Sequence, residues 1–357
     1  MPRTSVFGHL GDGRAVHLLE LGTAPGLVLQ LLDLGATAHR LEVTGPDGVR
    51  RNVLLGHGSP AAYLDSTDYI GGTIGRYANR IAGGRFELAG AEVRVGTHDR
   101  GNHLHGGPDG FDQRLWDMVE QDDVAVTLEL HSPSGDQGFP GMLRARVRFE
   151  VDDVGVTVTL SAQTDSTTVV NMTSHAYFNL DGEGSGSVDD HLLTVLADDY
   201  TPVDRTGIPL GGHEPVAGTP FDFREPRPIG PAVRTGHEQI RAARGIDHNY
   251  VIGGSGLRTA AALESPASGL RLELLADQPG LQVYTGNFLD GGRADTRGGL
   301  LRQGDGIALE PQRFPDSPNR RDFPTATLHP GETYRSRLAW RFGQIPERVT
   351  STVTDQD

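Results

Sequence analysis

Leu143–Val151 reads LRARVRFEV, and its alternation decides the fold. Leu143, Ala145, Val147, Phe149 and Val151 fall on one face, with Arg144, Arg146, Arg148 and Glu150 on the other. A period of two belongs to a strand with one buried and one wetted face. An Asp152-Asp153 turn follows. VGVTVTLSA then alternates again through Val154, Val156, Val158 and Leu160, so the two runs read as a β-hairpin. Working outward, LEVTGPDGVRRNVLL repeats this logic around Gly45-Pro46-Asp47-Gly48, and FELAGAEVRV repeats it around Gly90. VAVTLEL, LRLELL and SRLAWRF add strands, whereas HEQIRAARG near residue 240 is the one short helix expected. Short strands separated by turn signals every ~8–12 residues make a sandwich or barrel. The expectation is an all-β chain with few short helices and one large domain over residues 1–343. A polar, frayed tail is expected over 344–357, and GEGSGSVDD (182–190) reads as a flexible surface loop.

Composition removes several chemistries. The 357 residues include no cysteine, and every one of the 32 basic residues is arginine, against 47 acidic residues, for a net charge of −15. Without cysteine there is no thiol nucleophile, redox pair or thiolate zinc site. Without lysine there is no Schiff base and no P-loop. An acidic chain also lacks the basic footprint that nucleic acid requires. The N-terminus carries no apolar run of signal-peptide length, and no stretch of 18 apolar residues suggests a membrane span. The reading is cytoplasmic, with no nucleic-acid and no membrane partner.

Several loop segments carry more polar detail than turns require. GGTIGRYANRIAGGRF holds Asn79 and Arg80, GNHLHGGPDGFDQRLW holds His103 and His105, and NMTSHAYFNLDG centres on His175. GIDHNYV holds Asp247, LQVYTGNFLDG holds Gln282 and Phe288, and in GIALEPQRFPDSPNRRDFP Glu310 closes an apolar strand. Each has a plain alternative. His103-x-His105 fits a metal pair or two surface histidines, and with no third ligand at diagnostic spacing no metal is expected. His175 fits a hydrogen-bonded structural histidine, Glu310 a solvated strand end, Arg80 a surface ion pair and Asp247 a turn cap. No glycine-rich stretch opens a helix after a strand, so no dinucleotide cofactor is expected. Taken together, the donors, acceptors and aromatic faces suit a polyol, with proton-transfer chemistry open.

In this order, GRYANRIAGGRF, NHLHGGPDGFDQRLW, TSHAYFNLDG, DHNYV, QVYTGNFLDG and the GIALEPQRFPDSPNRRDFP–HPGETY run resemble the aldose 1-epimerase (galactose mutarotase) family, from about Phe7 to Phe342. The resemblance implies a galactose mutarotase-like β-supersandwich with a monosaccharide in an open cleft. It also implies interconversion of the α and β anomers of a free aldose, without a cofactor, in a monomer or homodimer. It makes His175 the general acid, Glu310 the general base and His105 an assisting group near the ring oxygen. Arg80, Asp247 and Gln282 would hold sugar hydroxyls, with Asn79 beside Arg80. Ser174 stands where the family often has asparagine, Pro311 where threonine is common, and Arg320-Arg321 in a stretch that is often less basic. Two other readings stay open: a hexose-6-phosphate 1-epimerase, with Arg320 and Arg321 contacting the phosphate, and a non-catalytic sugar-binding protein.

Overall fold

The computed structural model describes residues 3–347. Leu143–Asp152 and Gly155–Thr164 form the expected hairpin and sit inside a nine-stranded antiparallel sheet. The order across that sheet is Asp117–Gln121, Ala125–Ser132, Leu143–Asp152, Gly155–Thr164, Tyr334–Gln344, Leu270–Ala276, Arg258–Glu264, Leu192–Val195, Arg227–Pro228. Asp152 pairs with Gly155, which leaves Asp153 and Val154 as the two-residue turn. Val154 is therefore 53% exposed at the tip rather than inward, so the alternation begins one step later than the bare pattern suggests.

A five-stranded sheet from the N-terminal 52 residues and a six-stranded sheet complete the architecture. Leu19, Leu21, Leu29 and Leu41 of the first, Val147, Phe149, Leu160, Leu272 and Trp340 of the nine-stranded sheet, and Tyr250, Leu281, Val283 and Leu309 of the six-stranded sheet share one apolar core. The chain is thus mostly strand, layered around a continuous core. Among the described residues, α-helices are single turns at Pro60–Leu64, Ile229–Val233 and Glu238–Ala243, the last being the one expected. None of them is long and apolar enough to cross a membrane.

One loop expectation changes. Residues 182–190 are not simply a polar surface loop, because Glu183 is buried and pins the segment. Its carboxylate accepts from the Gly56 and Thr296 backbone N–H groups, both at 3.2 Å. The expected tail is strand as far as Gln344, and residues 348–357 lie outside the described residues.

The six-stranded sheet positions the cleft. Its order is Tyr177–Phe178, Ile307–Gln312, Gly280–Tyr284, Asp247–Val251, Asp199–Thr201, Glu214–Pro215. In each central strand one face enters the core, through Ile307 and Leu309, Leu281 and Val283, and Tyr250. By the same alternation Glu310, Gln282, Asp247 and Asn249 must face the opposite side. Register then aligns them: Gln282 lies opposite Glu310 on one side and Asn249 on the other, and Asp247 lies opposite Tyr284.

Candidate active site

Glu310 sits within its strand rather than at its end, since pairing continues through Pro311 opposite Leu281 and Gln312 opposite Gly280. His175 is locked just beyond the short Thr173–Ser174 strand: its N–H donates to Gly72 O at 2.9 Å and its carbonyl accepts from Gly71 N at 3.0 Å. These two supports bring His175 Nε2 to 3.6 Å from Glu310 Oε1, with both side chains almost wholly buried.

Asn79 and His105 hold each other. Asn79 N–H donates to His105 Nδ1 at 3.1 Å, and His105 N–H donates to Asn79 O at 3.2 Å. Both residues lie in the left-handed backbone region, at φ +65° and +50°. Asparagine and histidine tolerate it better than most side chains. Gly106 follows at φ +88°, where a Cβ would come within 1.9 Å of the Gly75 carbonyl, so the close approach of these loops requires glycine. The bond to Nδ1 makes Nε2 the protonated nitrogen of neutral His105.

Arg80 is buried, and its Nε donates to Asp99 Oδ2 at 2.7 Å, while its Nη1 lies 3.9 Å from Asp247 Oδ2. Gln282 Nε2 donates to Asp247 Oδ1 at 2.7 Å. Asp247 therefore opens a strand and links Arg80 to Gln282 rather than capping a turn. These groups line one open cleft of about 450 Å³, together with Tyr69, Tyr177, Tyr284 and Phe288.

Burial governs the electrostatics. It pushes His175 down from the usual histidine value to about 4, and pushes Glu310 well above the usual carboxylate range, with Asp247 adding to the second effect. It also drives His105 well below the ordinary range, with His175 contributing. A lone charge on either His175 or Glu310 is thus disfavoured, while opposite charges on the two, 3.6 Å apart, offset each other. That is the inventory of an acid and a base poised to exchange roles.

A model of the family described as aldose 1-epimerase matches residues 17–341. The chain belongs to the aldose 1-epimerase family. It is an isomerase. It is 42% identical over 336 residues to an Escherichia coli K12 aldose 1-epimerase, covering 93% of this chain and 96% of that one. It is 38% identical over 340 residues to the human galactose mutarotase, covering 95% and 97%. Among solved structures, a Caenorhabditis elegans aldose epimerase homologue superposes with a TM-score of 0.87 at 28% identity, covering 93% of this chain and all of that one. A Lactobacillus acidophilus galactose 1-epimerase gives 0.85 at 30%, covering 96% and 99%.

Within this epimerase-family chain, the seven residues to which the resemblance assigns roles line the same cleft: Asn79, Arg80, His105, His175, Asp247, Gln282 and Glu310. His103 does not. It is buried away from the cleft, packed edge-on to Phe139, with Nδ1 2.9 Å from Gly96 O. Arg320 and Arg321 are also absent from the lining; Arg320 pairs with Asp322 at 3.1 Å and stacks over Phe323. Among the described residues, one trio could hold a cation, His105, His175 and Glu310, with ligand atoms all within 4.8 Å of one another.

Tyr69 went unnoticed in the sequence. Its ring packs against both histidines, with centroids 4.6 Å from His105 and 5.8 Å from His175, which themselves meet at 5.3 Å. Its place just before Gly71-Gly72 was its only signal in the sequence, and the structure holds it at φ +56°. Tyr177 and Tyr284 fell within two of the quoted loop segments without being singled out, and Asp99 carried no mark beyond its charge.

Proposed function

We propose that this chain interconverts the α and β anomers of a free aldose, with His175 and Glu310 as the acid and base. The observation that carries the reading is the buried His175–Glu310 contact of 3.6 Å beside the Arg80–Asp247–Gln282 array. Glu310 takes the proton of the C1 hydroxyl while imidazolium His175 donates to the ring oxygen. The C1–O5 bond breaks, C1 becomes an aldehyde, and rotation about C1–C2 presents its other face. The ring oxygen then attacks, returning its proton to His175 as Glu310 reprotonates the C1 oxygen. The balance closes with no hydride or phosphoryl moved.

The pair's environment suits this cycle. Ring opening turns a buried ion pair into neutral His175 and protonated Glu310. That is the direction in which burial pushes both groups. His105, neutral with Nε2–H free, donates near the ring oxygen. Arg80, Asp247 and Gln282 offer donors and acceptors to ring hydroxyls, and Tyr284 and Phe288 offer apolar faces to the sugar C–H surface. Asn79 acts through its neighbours, since its Oδ1 accepts from Arg80 N–H at 2.9 Å.

A hexose-6-phosphate specificity would need free cations in the cleft, and Arg320 and Arg321 lie elsewhere. The chain is read as cytoplasmic, a monomer or homodimer, with one domain through residue 343. Polarimetry on freshly dissolved α-D-glucose, α-D-galactose, D-xylose and L-arabinose, beside glucose 6-phosphate, tests the reading. Faster approach to equilibrium with free sugars is expected; acceleration with the phosphate alone would overturn it.

A further inference from the structure

Among the described residues, the guanidinium groups lining the cleft are those of Arg80 and Arg100. Both converge on one carboxylate that the reaction itself does not use. Arg80 Nε donates to Asp99 Oδ2 at 2.7 Å, and Arg100 Nε lies 3.3 Å from Asp99 Oδ1. Asp99 is in turn fixed by a tight backbone turn: its N–H donates to Asn102 O at 3.1 Å, and its carbonyl accepts from Asn102 N at 2.8 Å. Burial pushes the Asp99 carboxyl up, but Arg80 and Arg100 together outweigh this and hold it below the usual aspartate range.

The other side of Arg80 is covered by backbone. Gly207, at φ +83°, lies so close that a Cβ there would sit 2.8 Å from Arg80 Nη1. Asp204 shapes this turn by accepting from Thr206 N at 2.7 Å and Ile208 N at 3.1 Å. Arg100 Nη1 clips it to the Asp99 side through Arg205 O at 3.2 Å. Arg80 therefore meets a carboxylate at Nε, backbone over its face, and Asp247 3.9 Å from Nη1. Its charge is matched before a ligand arrives, and the guanidinium has no room to swing toward an anionic substituent. The acids lining the cleft are Asp68, Asp99, Asp247 and Glu310, against two arginines.

We propose that Asp99 restricts this site to uncharged aldoses: it aims Arg80 as a hydrogen-bond donor for hydroxyls, cancels Arg100, and so excludes sugars bearing a carboxylate or phosphate. The proposal rests on the anomer-interconverting reading above. Asp99 is a positioning residue, because it acts through Arg80 rather than on the reacting atoms.

The test compares initial rates of mutarotation for glucose and glucuronate, in the wild type and in Asp99→Asn. A like-charge clash predicts a wild-type kcat/KM for glucose about a hundredfold above that for glucuronate. In Asp99→Asn that ratio falls at least about tenfold, while the KM for glucose rises with kcat nearly kept, because His175 and Glu310 are untouched. Wild-type turnover of glucuronate on a par with glucose would overturn the proposal. So would a folded Asp99→Asn enzyme with an unchanged ratio. Should that variant fail to fold, the wild type still decides. Raising the salt from about 20 mM to 0.5 M should improve glucuronate turnover and leave glucose unaffected, and a flat response would count against the proposal. Wild-type inactivity on glucose, galactose and xylose alike would instead contradict the parent reading.

Discussion

The outer face of the nine-stranded sheet and the cleft face of the six-stranded sheet both carry the polar half of alternating strands, and only the first is wet. On the outer face Arg146 pairs with Glu129, and Arg148 reaches Glu120 at 3.4 Å and Glu150 at 3.3 Å. The exposed pairs of Arg148 contribute little, whereas Glu129 is buried under its partner. On the cleft face Glu310, Gln282 and His175 are buried, and Glu310 Oε2, Gln282 Oε1 and His175 Nδ1 find no hydrogen-bond partner in the protein. Each unmet group costs ~1–3 kcal/mol of stability. The same pattern therefore serves solubility in one sheet and ligand recognition in the other. What separates them is burial, which shifts the protonation of the cleft groups and leaves those of the outer face in water.

The largest effect expected of burial is acid sensitivity of the folded chain. Burial pushes His39, His103 and His248 from the usual 6.5 to about 4. The unfolded chain takes up these protons near 6.5 while the folded chain refuses them until about 4. Stability is then complete above pH 6.5 and drains away as pH falls toward 4, at about 1.4 kcal/mol per unit for each histidine. Asp112, pushed up to about 6 by burial, works the other way, as do Asp68, Asp305, Asp316 and Glu310, which burial also raises, whereas His105, His175 and His191 add to the loss. Melting temperatures between pH 7.5 and 4.5 should fall steeply, and a flat profile would refute this accounting.

Next comes His175→Asn, for which kcat/KM should drop ~10²–10⁴-fold with little change in the thermal midpoint. Comparable loss of both would mean that the residue is structural. Phe149→Ala tests the shared core beneath the outer face. It should cost about 3–5 kcal/mol in denaturant unfolding and leave the activity of the folded protein intact. Smallest of all, Arg148→Gln on the wet face should change stability by less than ~1 kcal/mol and activity not at all. A measurable rate defect there would show that the two faces are less distinct than drawn.

The contrast also explains what could be read before any coordinates. Strands such as Leu143–Asp152 were legible because their polar face is exposed, so alternation alone describes them. Glu310 looked like the end of an apolar run because its neighbours enter the core, while the side chain's burial depends on loops far away in sequence. The Asn79–His105 clasp joins two residues of positive φ from different segments, a contact no local pattern encodes. Tyr69 and Asp99 enter the site only through the turns that carry them. His103 and His105 sit two apart yet serve different surroundings, one against Phe139 and the other in the cleft. Ordered motifs located the site, while the pairing of its members came from the register of the six-stranded sheet.

The central claim is that the buried carboxylate of Glu310 accepts the anomeric proton. Glu310→Gln keeps the shape and removes that capacity. Polarimetry on freshly dissolved α-D-galactose should show mutarotation at the uncatalysed rate, while calorimetry still detects sugar binding. A Glu310→Gln protein that speeds mutarotation as the wild type does would contradict the account.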